Sequence, residues 1–440
     1  MTHPIITTLQ SSAMSRFQIA AIAICVIINM IDGFDVLAIA FTAPQIAQEW
    51  SITPERLGVL FSMGLAGMMV GSLLVAPLAD QYGRRWAILT SLVVVTAGML
   101  LSAFCTDIIQ LSAMRLLTGI GVGTMLPSIN TMVAEYASSQ RRSLSIAILG
   151  TGYPLGAMLG GVLAVYLIAQ YGWPSVFILG GLFSLILIPL VYFRLPESLA
   201  YLLARRPVGA LDKINEVLAK LDYDSLESLP DSAPARTRKI PVLDTLAPDI
   251  RKNTVLFCLA FFLLMTSFYF VMSWTPKLLV NAGLSMQQGI SGGVLLNVGG
   301  LMGQLLFGVL ATRLDIQRVI LGFMLTSVLL MLAMTIVGSA LTLMLGLAFL
   351  MGISLFGAFT GLYALAPLVF DAQLRNTGTG MAIGIGRLGA VFGPLLAGFL
   401  LAWFWTAAQS YAIFALPILA SAVSMIMIRN RNSLTGAAET

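Results

Sequence analysis

Apolar residues come in long blocks along this chain, and the polar positions between the blocks are few and rich in arginine. A helix needs about 20 mainly apolar residues to cross the core of a bilayer. Runs of that kind lie at approximately 17–41, 57–79, 86–105, 110–134, 144–168 and 174–194, then at 254–280, 287–311, 317–338, 341–366, 377–403 and 408–428. Gly and Pro recur inside them, as in membrane helices that pack closely. One long polar stretch, 195–252, divides six runs from six. Within it Leu211, Ile214, Leu218 and Leu221 recur at helical spacing, with Lys213, Glu216 and Lys220 between them. That pattern predicts a short amphipathic helix on the membrane face, while Pro230–Lys239 reads as linker. The predicted architecture is an all-α membrane protein with twelve transmembrane helices in two pseudo-symmetric six-helix bundles. The first occupies 1–194, the central loop 195–252, and the second bundle with its tail 253–440. A duplication of this kind points to a transporter with its site between the halves.

Composition sharpens this. Of 440 residues, 58% are hydrophobic and 10% charged, against about 45–50% and about 25% in soluble domains. Such a chain cannot solvate a soluble surface, which excludes a soluble enzyme, a disordered chain and a nucleic-acid-binding domain. The net charge of +5 is distributed, not clustered. With the N-terminus cytoplasmic, 20 of the 24 Lys and Arg fall in cytoplasmic segments; Arg56 and Lys277 lie outside, and Arg115 and Arg387 fall within spans. The positive-inside rule then makes both termini cytoplasmic in a multi-pass protein of a bacterial-type inner (plasma) membrane. The first run is too long for a cleaved signal core and reads as a retained span. Cys25, Cys105 and Cys258 sit in or beside apolar runs, and His3 is the one histidine. No disulfide framework or metal-ligand spacing exists, so no metal or organic cofactor is expected.

The segment between the second and third runs, Ala76–Arg85, reads APLADQYGRR. Gly83 permits a tight turn at the membrane surface. Asp80 can sit by a neighbouring helix terminus, and Arg84 and Arg85 can anchor to carboxylates or headgroups. This segment resembles the signature loop of the major facilitator superfamily, with Ala76 in place of the usual first Gly and Gln81 in place of a usual base. A degraded counterpart, Gly308–Asp315, stands at the matching place in the second half, with Thr312 where the acid would be. Arg115–Gly123 resembles the fourth-helix motif of that superfamily. Glu135 with Arg141 and Arg142 resembles the loop that follows, and Pro196-Glu197-Ser198 closes the sixth helix as in many members. The resemblance implies the major facilitator fold and a gating role for Asp80, Gly83, Arg84, Arg85, Glu135 and Arg141.

Ionisable groups at membrane depth need a reason, since each costs about 2.5–3.5 kcal/mol at a helix centre on insertion scales. Asp32 and Asp35 lie three apart on one face of the first helix. Two carboxylates at low dielectric cannot both stay ionised cheaply, which makes one of them a proton carrier. Arg115 lies about as deep in the fourth helix as Asp35 in the first, so an ion pair between them is expected, either as part of proton coupling or as a static lock. Arg387, midway along the eleventh helix, has no acid in any span of its own half. It should face an aqueous cavity and hold an anion in a bidentate fork, or else bond carbonyls of a broken helix.

Asp32-Gly33-Phe34-Asp35 followed by Pro44 resembles the first-helix signature of the aromatic acid:proton symporters. Gly386-Arg387-Leu388-Gly389 with Gly393-Pro394 resembles their eleventh helix, and Ser273–Pro276 the end of their seventh. The resemblance implies proton-coupled import of a benzoate-like anion, with protons as the coupling ion. Arg387, together with Arg115, would then bind the carboxylate. Phe34, Tyr153, Tyr269, Phe270 and Trp274 are candidates for the aromatic wall. Asn297 is a candidate partner for a ring hydroxyl or a packing contact. Gly150–Gly156 with Gly160-Gly161 partly resembles a glycine motif of drug-efflux antiporters and also fits a bending, tightly packed helix. A carrier of non-aromatic organic acids and an efflux antiporter are the rival readings. A membrane enzyme lacks a nucleophile–base pair at depth, and a receptor would need a larger soluble domain. The expected partners are a small organic anion and the lipid bilayer, without nucleic acid, and a single chain is the expected functional unit.

Overall fold

In the computed structural model the described residues are 14–221, 223–229, 245–337, 340–370, 374–403 and 406–428. Linker residues 230–244, including Arg236, Arg238 and Lys239, lie outside them, as do His3, Arg429 and Arg431. Twelve membrane-length helices are present: Arg16–Glu49, Pro54–Tyr82, Arg84–Ser102, Ile108–Tyr136, Arg142–Tyr171, Pro174–Arg194, Ile250–Asn281, Met286–Ala311, Ile316–Ala333, Leu341–Ala366, Thr377–Ala402 and Ala407–Ile426. They are called spans one to twelve. Several run beyond their apolar cores; span one continues through Pro44 to Glu49. Span two loosens to i→i+5 bonding at Gly71–Val75 and tightens at Ala76–Leu78. The cause is Pro77, which supplies no backbone N–H to the turn before it.

Packing repeats with a shift of six. Spans 1–5, 2–4, 3–4 and 3–6 are the main pairs of the first half; 7–11, 8–10, 9–10 and 9–12 are their equivalents in the second. The duplicated spacing of apolar runs is therefore a duplicated tertiary structure. Between the halves, span 2 packs on 11, span 5 on 8 and span 1 on 7.

Within lipid, apolar packing alone gives little drive for helix association, so small residues and interhelical hydrogen bonds matter more. Asn29 Nδ2 donates to the Leu149 carbonyl at 2.6 Å and Gln18 Nε2 to that of Tyr136 at 2.8 Å. Ser267 Oγ donates to Phe414 O at 2.6 Å and Ser421 Oγ to Ala260 O at 2.8 Å. Such bonds are worth roughly 0.6 kcal/mol each on average. The exposed side chains are largely apolar, among them Leu74, Ile109, Phe193 and Ile336, as for a surface that meets lipid.

Among its described residues the central segment holds two short helices, Leu199–Arg205 and Ala210–Ala219. Ile214, Val217 and Leu218 of the second are buried. The first was not legible because a seven-residue helix shows barely two turns of periodicity.

The two ends of the bundle differ. At the end remote from the central segment, spans 2 and 11 touch backbone to backbone. A Cβ on Gly58 would lie 2.9 Å from the Pro394 carbonyl oxygen, and one on Gly398 2.7 Å from that of Pro54. Ser62 Oγ donates to the Val391 carbonyl at 2.8 Å. Toward the other end, which holds the central segment and is called the basic end here, the spans part. Near Gly384 the closest atom to an added Cβ is the tip of Leu73 at 3.9 Å, and at Gly380 nothing lies within 4 Å. The far end is sealed and the basic end splayed.

Candidate functional site

Gly33 brings spans 1 and 5 into backbone contact: a Cβ there would collide with the Tyr153 carbonyl. The crossing brings Tyr153 near Asp32 and Asp35, the two acids at membrane depth in span 1. Both acids are buried, at 1% and 5% exposure. Their partners differ. Asp35 Oδ1 accepts from Arg115 Nη1 at 2.8 Å, and Arg115 Nη2 donates to Ser102 Oγ at 2.9 Å. The Phe177 ring covers the guanidinium at 4.8 Å. Arg115 is 2% exposed, and each of its terminal nitrogens already donates to a partner, so in this conformation it is engaged with Asp35 and Ser102 inside the first bundle.

Asp32 makes no ion pair among the described residues, and its Oδ1 is buried without a hydrogen-bond partner. Across the interface lies Arg387 of span 11, half-buried and within electrostatic reach of Asp32. Arg387 likewise makes no ion pair with a described residue. Tyr269 of span 7 lies within electrostatic reach of Asp32 and Arg387, and Tyr153 of span 5 within reach of Asp32 and Tyr269. The Tyr153 hydroxyl is buried without a partner. Buried polar atoms in proteins are nearly always bonded, so adjacent orphans at the meeting of two halves mark a place for water or ligand. Asn297 of span 8 is a further case: its amide donates to Gly293 O at 2.9 Å while its Oδ1 is left over.

Three aromatic candidates lie elsewhere. Phe34 points into the first bundle, its ring beside Gly160 and Gly180 of spans 5 and 6. Phe270 is fully buried and stacks on Phe414 of span 12 at 4.0 Å. Trp274 belongs to the far-end seal: its indole donates to Pro394 O at 3.0 Å and its ring meets Phe61 edge-on at 5.2 Å. In a strongly apolar helix the face toward the interface carries no periodic signature, so rotation about the axis was not legible. Tyr363 of span 10 was missed. It too senses Arg387, and it packs against Phe261 and Phe359. A lone phenol in an apolar run was its one signal.

At the basic end the loop motif is knotted to the end of span 6. Gly83, at φ +107°, turns the chain into span 3 but has no side chain to cap it. Glu197 does so from outside: its Oε1 accepts from the backbone N–H of Arg84 at 2.8 Å, of Arg85 at 3.0 Å and of Ser198 at 2.8 Å. A carboxylate at a helix N-terminus satisfies orphan donors and meets the positive dipole end. Glu135 accepts from Ser198 Oγ at 2.6 Å, Arg85 donates to the Tyr192 carbonyl, and Tyr136 donates to Glu197 O at 2.7 Å. Asp80 is exposed and pairs at 2.5 Å with Arg84, the first residue of span 3, while its carbonyl accepts from Nε of Arg205, the last residue of the Leu199–Arg205 helix, at 3.0 Å. Arg141 is exposed.

Residues 25–382 match the Major Facilitator Superfamily. The chain belongs to that family. It is a multi-pass membrane transporter, not an enzyme. The gallate transporter of Pseudomonas putida is 32% identical over 94% of this chain and 92% of its own length. The 4-hydroxybenzoate transporter PcaK of Acinetobacter baylyi is 31% identical over 95% and 93%. The benzoate transport protein of the same organism is 27% identical over 96% and 92%. These relatives agree with the resemblance to the aromatic acid:proton symporters carried by the first and eleventh spans. Among solved structures, the Escherichia coli xylose transporter XylE in a partially occluded inward-open conformation superposes with a TM-score of 0.73 at 15% identity, covering 95% of this chain and 99% of its own; this shows the fold.

Proposed function

We propose that the chain is a proton-coupled importer of a small aromatic carboxylate, resident in a bacterial cytoplasmic membrane with both termini inside. One observation carries the reading: Asp32 on span 1 and Arg387 on span 11, from opposite halves, lie within electrostatic reach of each other, and neither makes an ion pair among the described residues. Asp35 is already neutralised by Arg115. The unloaded site therefore holds one spare anion and one spare cation. A carboxylate substrate on Arg387 takes up the cation, and Asp32 balances only when it carries a proton. Loaded with one proton and one anion, or empty, the site has the same net charge. That equality lets the halves rock with little electrostatic penalty in either case. A stoichiometry of one proton per anion follows.

Tyr153, Tyr269 and Tyr363 offer hydroxyls and ring faces to an aromatic acid, and the names of the relatives support that substrate class. The assignment of 20 of the 24 cations to the predicted cytoplasmic segments of the sequence supports the orientation. With that end cytoplasmic, the sealed far end is extracytoplasmic and the conformation is inward-facing.

The test is uptake of radiolabelled 4-hydroxybenzoate by cells expressing the chain, with and without a protonophore, with unlabelled acids as competitors. Protonophore-sensitive uptake, blocked by aromatic but not aliphatic carboxylates and lost in Arg387→Lys, is expected. Equal competition by aliphatic acids, or uptake indifferent to the protonophore, would overturn the reading.

A further inference from the structure

Outside the Trp274 seal, at the far end, lies a cavity of about 590 Å³, within the roughly 300–1,000 Å³ range of small-molecule sites. Both halves line it: Pro54 and Leu57 from the first, Trp274, Met344 and Leu401 from the second, with Lys277, Asn281, Thr335 and Thr406 among its polar-side-chain residues and Lys277 its one charged lining residue. Trp274 also meets Phe61, which lines the small pocket beside Asp35 and Arg115. One indole thus separates the outer cavity from the charged interior.

Lys277 is the unusual member. It is half-buried, and it makes no ion pair among the described residues. No Asp or Glu occurs between Asp249 and Asp315, or between Asp315 and Asp371, so the second half has no acid at this end to meet it. Of the first-half acids at this end, Glu49 accepts from the Trp173 indole at 3.0 Å, Asp107 caps span 4 by accepting from the N–H groups of Ile109 and Gln110, and neither these nor Glu55 makes an ion pair with Lys277. A cation on an apolar wall without a counter-charge calls for an anion with an apolar body.

We propose that this cavity is a waiting site for an organic anion of the aromatic carboxylate class. The carboxylate lies on Lys277, the ring against Met344 and Leu401 above the buried Trp274, and the Asn281 amide takes a ring hydroxyl. The site holds substrate directly outside the Trp274–Pro394 latch, so that opening of the far end delivers it toward Arg387. The inference rests on the transport reading only for the direction of travel.

Two measurements test it. In purified full-length protein, 4-hydroxybenzoate should protect Lys277 from a soluble amine-reactive ester, read by peptide mass spectrometry, and should do so equally in Arg387→Gln. Absence of protection by it and by other organic anions overturns the site. In cells, Lys277→Gln at matched membrane abundance should raise the KM for uptake roughly five-fold with little change in maximal rate, as for one contact charge in largely aqueous surroundings. Lys277→Arg should behave as wild type, and added salt should raise the KM of wild type but not of Lys277→Gln. An unchanged KM and salt response in Lys277→Gln overturns the role in capture. Protection without uptake would count against the transport reading and leave the site standing.

Discussion

Replacing Asp35 by Asn should damage stability far more than replacing Asp32, although the two acids lie one turn apart. Arg115 is 2% exposed and depends on Asp35 for its counter-charge. Without it the guanidinium keeps Ser102 and the Phe177 face, and its Nε is already buried without a partner. Removing one member of a buried ion pair costs about 3–5 kcal/mol, because the other charge stays behind uncompensated. At roughly 2–4 °C per kcal/mol for a unit the size of one six-helix half, the melting temperature should fall by on the order of 10 °C. Asp32 gives up no ion pair when it becomes Asn, so Asp32→Asn should melt within a few degrees of wild type while proton-driven uptake is abolished. The double variant Asp35→Asn with Arg115→Met should regain most of the lost stability, since it removes the stranded charge. Thermal unfolding of the detergent-solubilised protein, read as a double-mutant cycle, measures this directly. Equal melting of the Asp32 and Asp35 variants, or no recovery in the double variant, would refute the division of labour between the two acids.

Glu197→Gln should cost about 1.5–3 kcal/mol, the worth of hydrogen bonds to a charged group, and should slow uptake, since one oxygen of Glu197 holds three backbone N–H groups at the start of span 3 and the end of span 6. Gly58→Val should pry span 2 from span 11 and raise the reactivity of a cysteine placed at Ser62 toward an impermeant maleimide; unchanged reactivity would count against the far-end seal. On the central segment, the hydrogen bond from Lys220 holds the Glu216 carboxyl below its ordinary range. The resulting stabilisation is present above the unfolded carboxylate pKa and is lost as pH falls through the depressed value. Both side chains are largely exposed, so Glu216→Gln should change stability by less than about 0.5 kcal/mol at neutral pH; a larger loss would show an ion pair stronger than its exposure allows.

Much of the framework is a local property of the chain. Span number, the six-plus-six division and the cation asymmetry rest on the composition of single segments, which partition into lipid or water largely by themselves. The ionisable groups at membrane depth were also legible, because Asp32, Asp35, Arg115 and Arg387 are conspicuous against an apolar background. Matching depth along two straight helices was enough to anticipate the pairing of Asp35 with Arg115.

Tertiary structure decided which way each helix is turned. Spacing places Asp32 and Asp35 on one face but does not say that Asp35 meets Arg115 while Asp32 is left without an ion pair among the described residues. Phe34, Phe270 and Trp274 read like Tyr153 and Tyr269 in sequence, yet the first three are packing or seal residues and the last two border the charged interface. The physical reason is that lipid and the interior of a helix bundle are almost equally apolar, so hydrophobic periodicity does not distinguish the face toward lipid from the face toward a neighbour. Contacts such as Gly33 on Tyr153 and Gly58 on Pro394 fix those rotations. They join residues more than a hundred positions apart, and no single segment of the chain contains them.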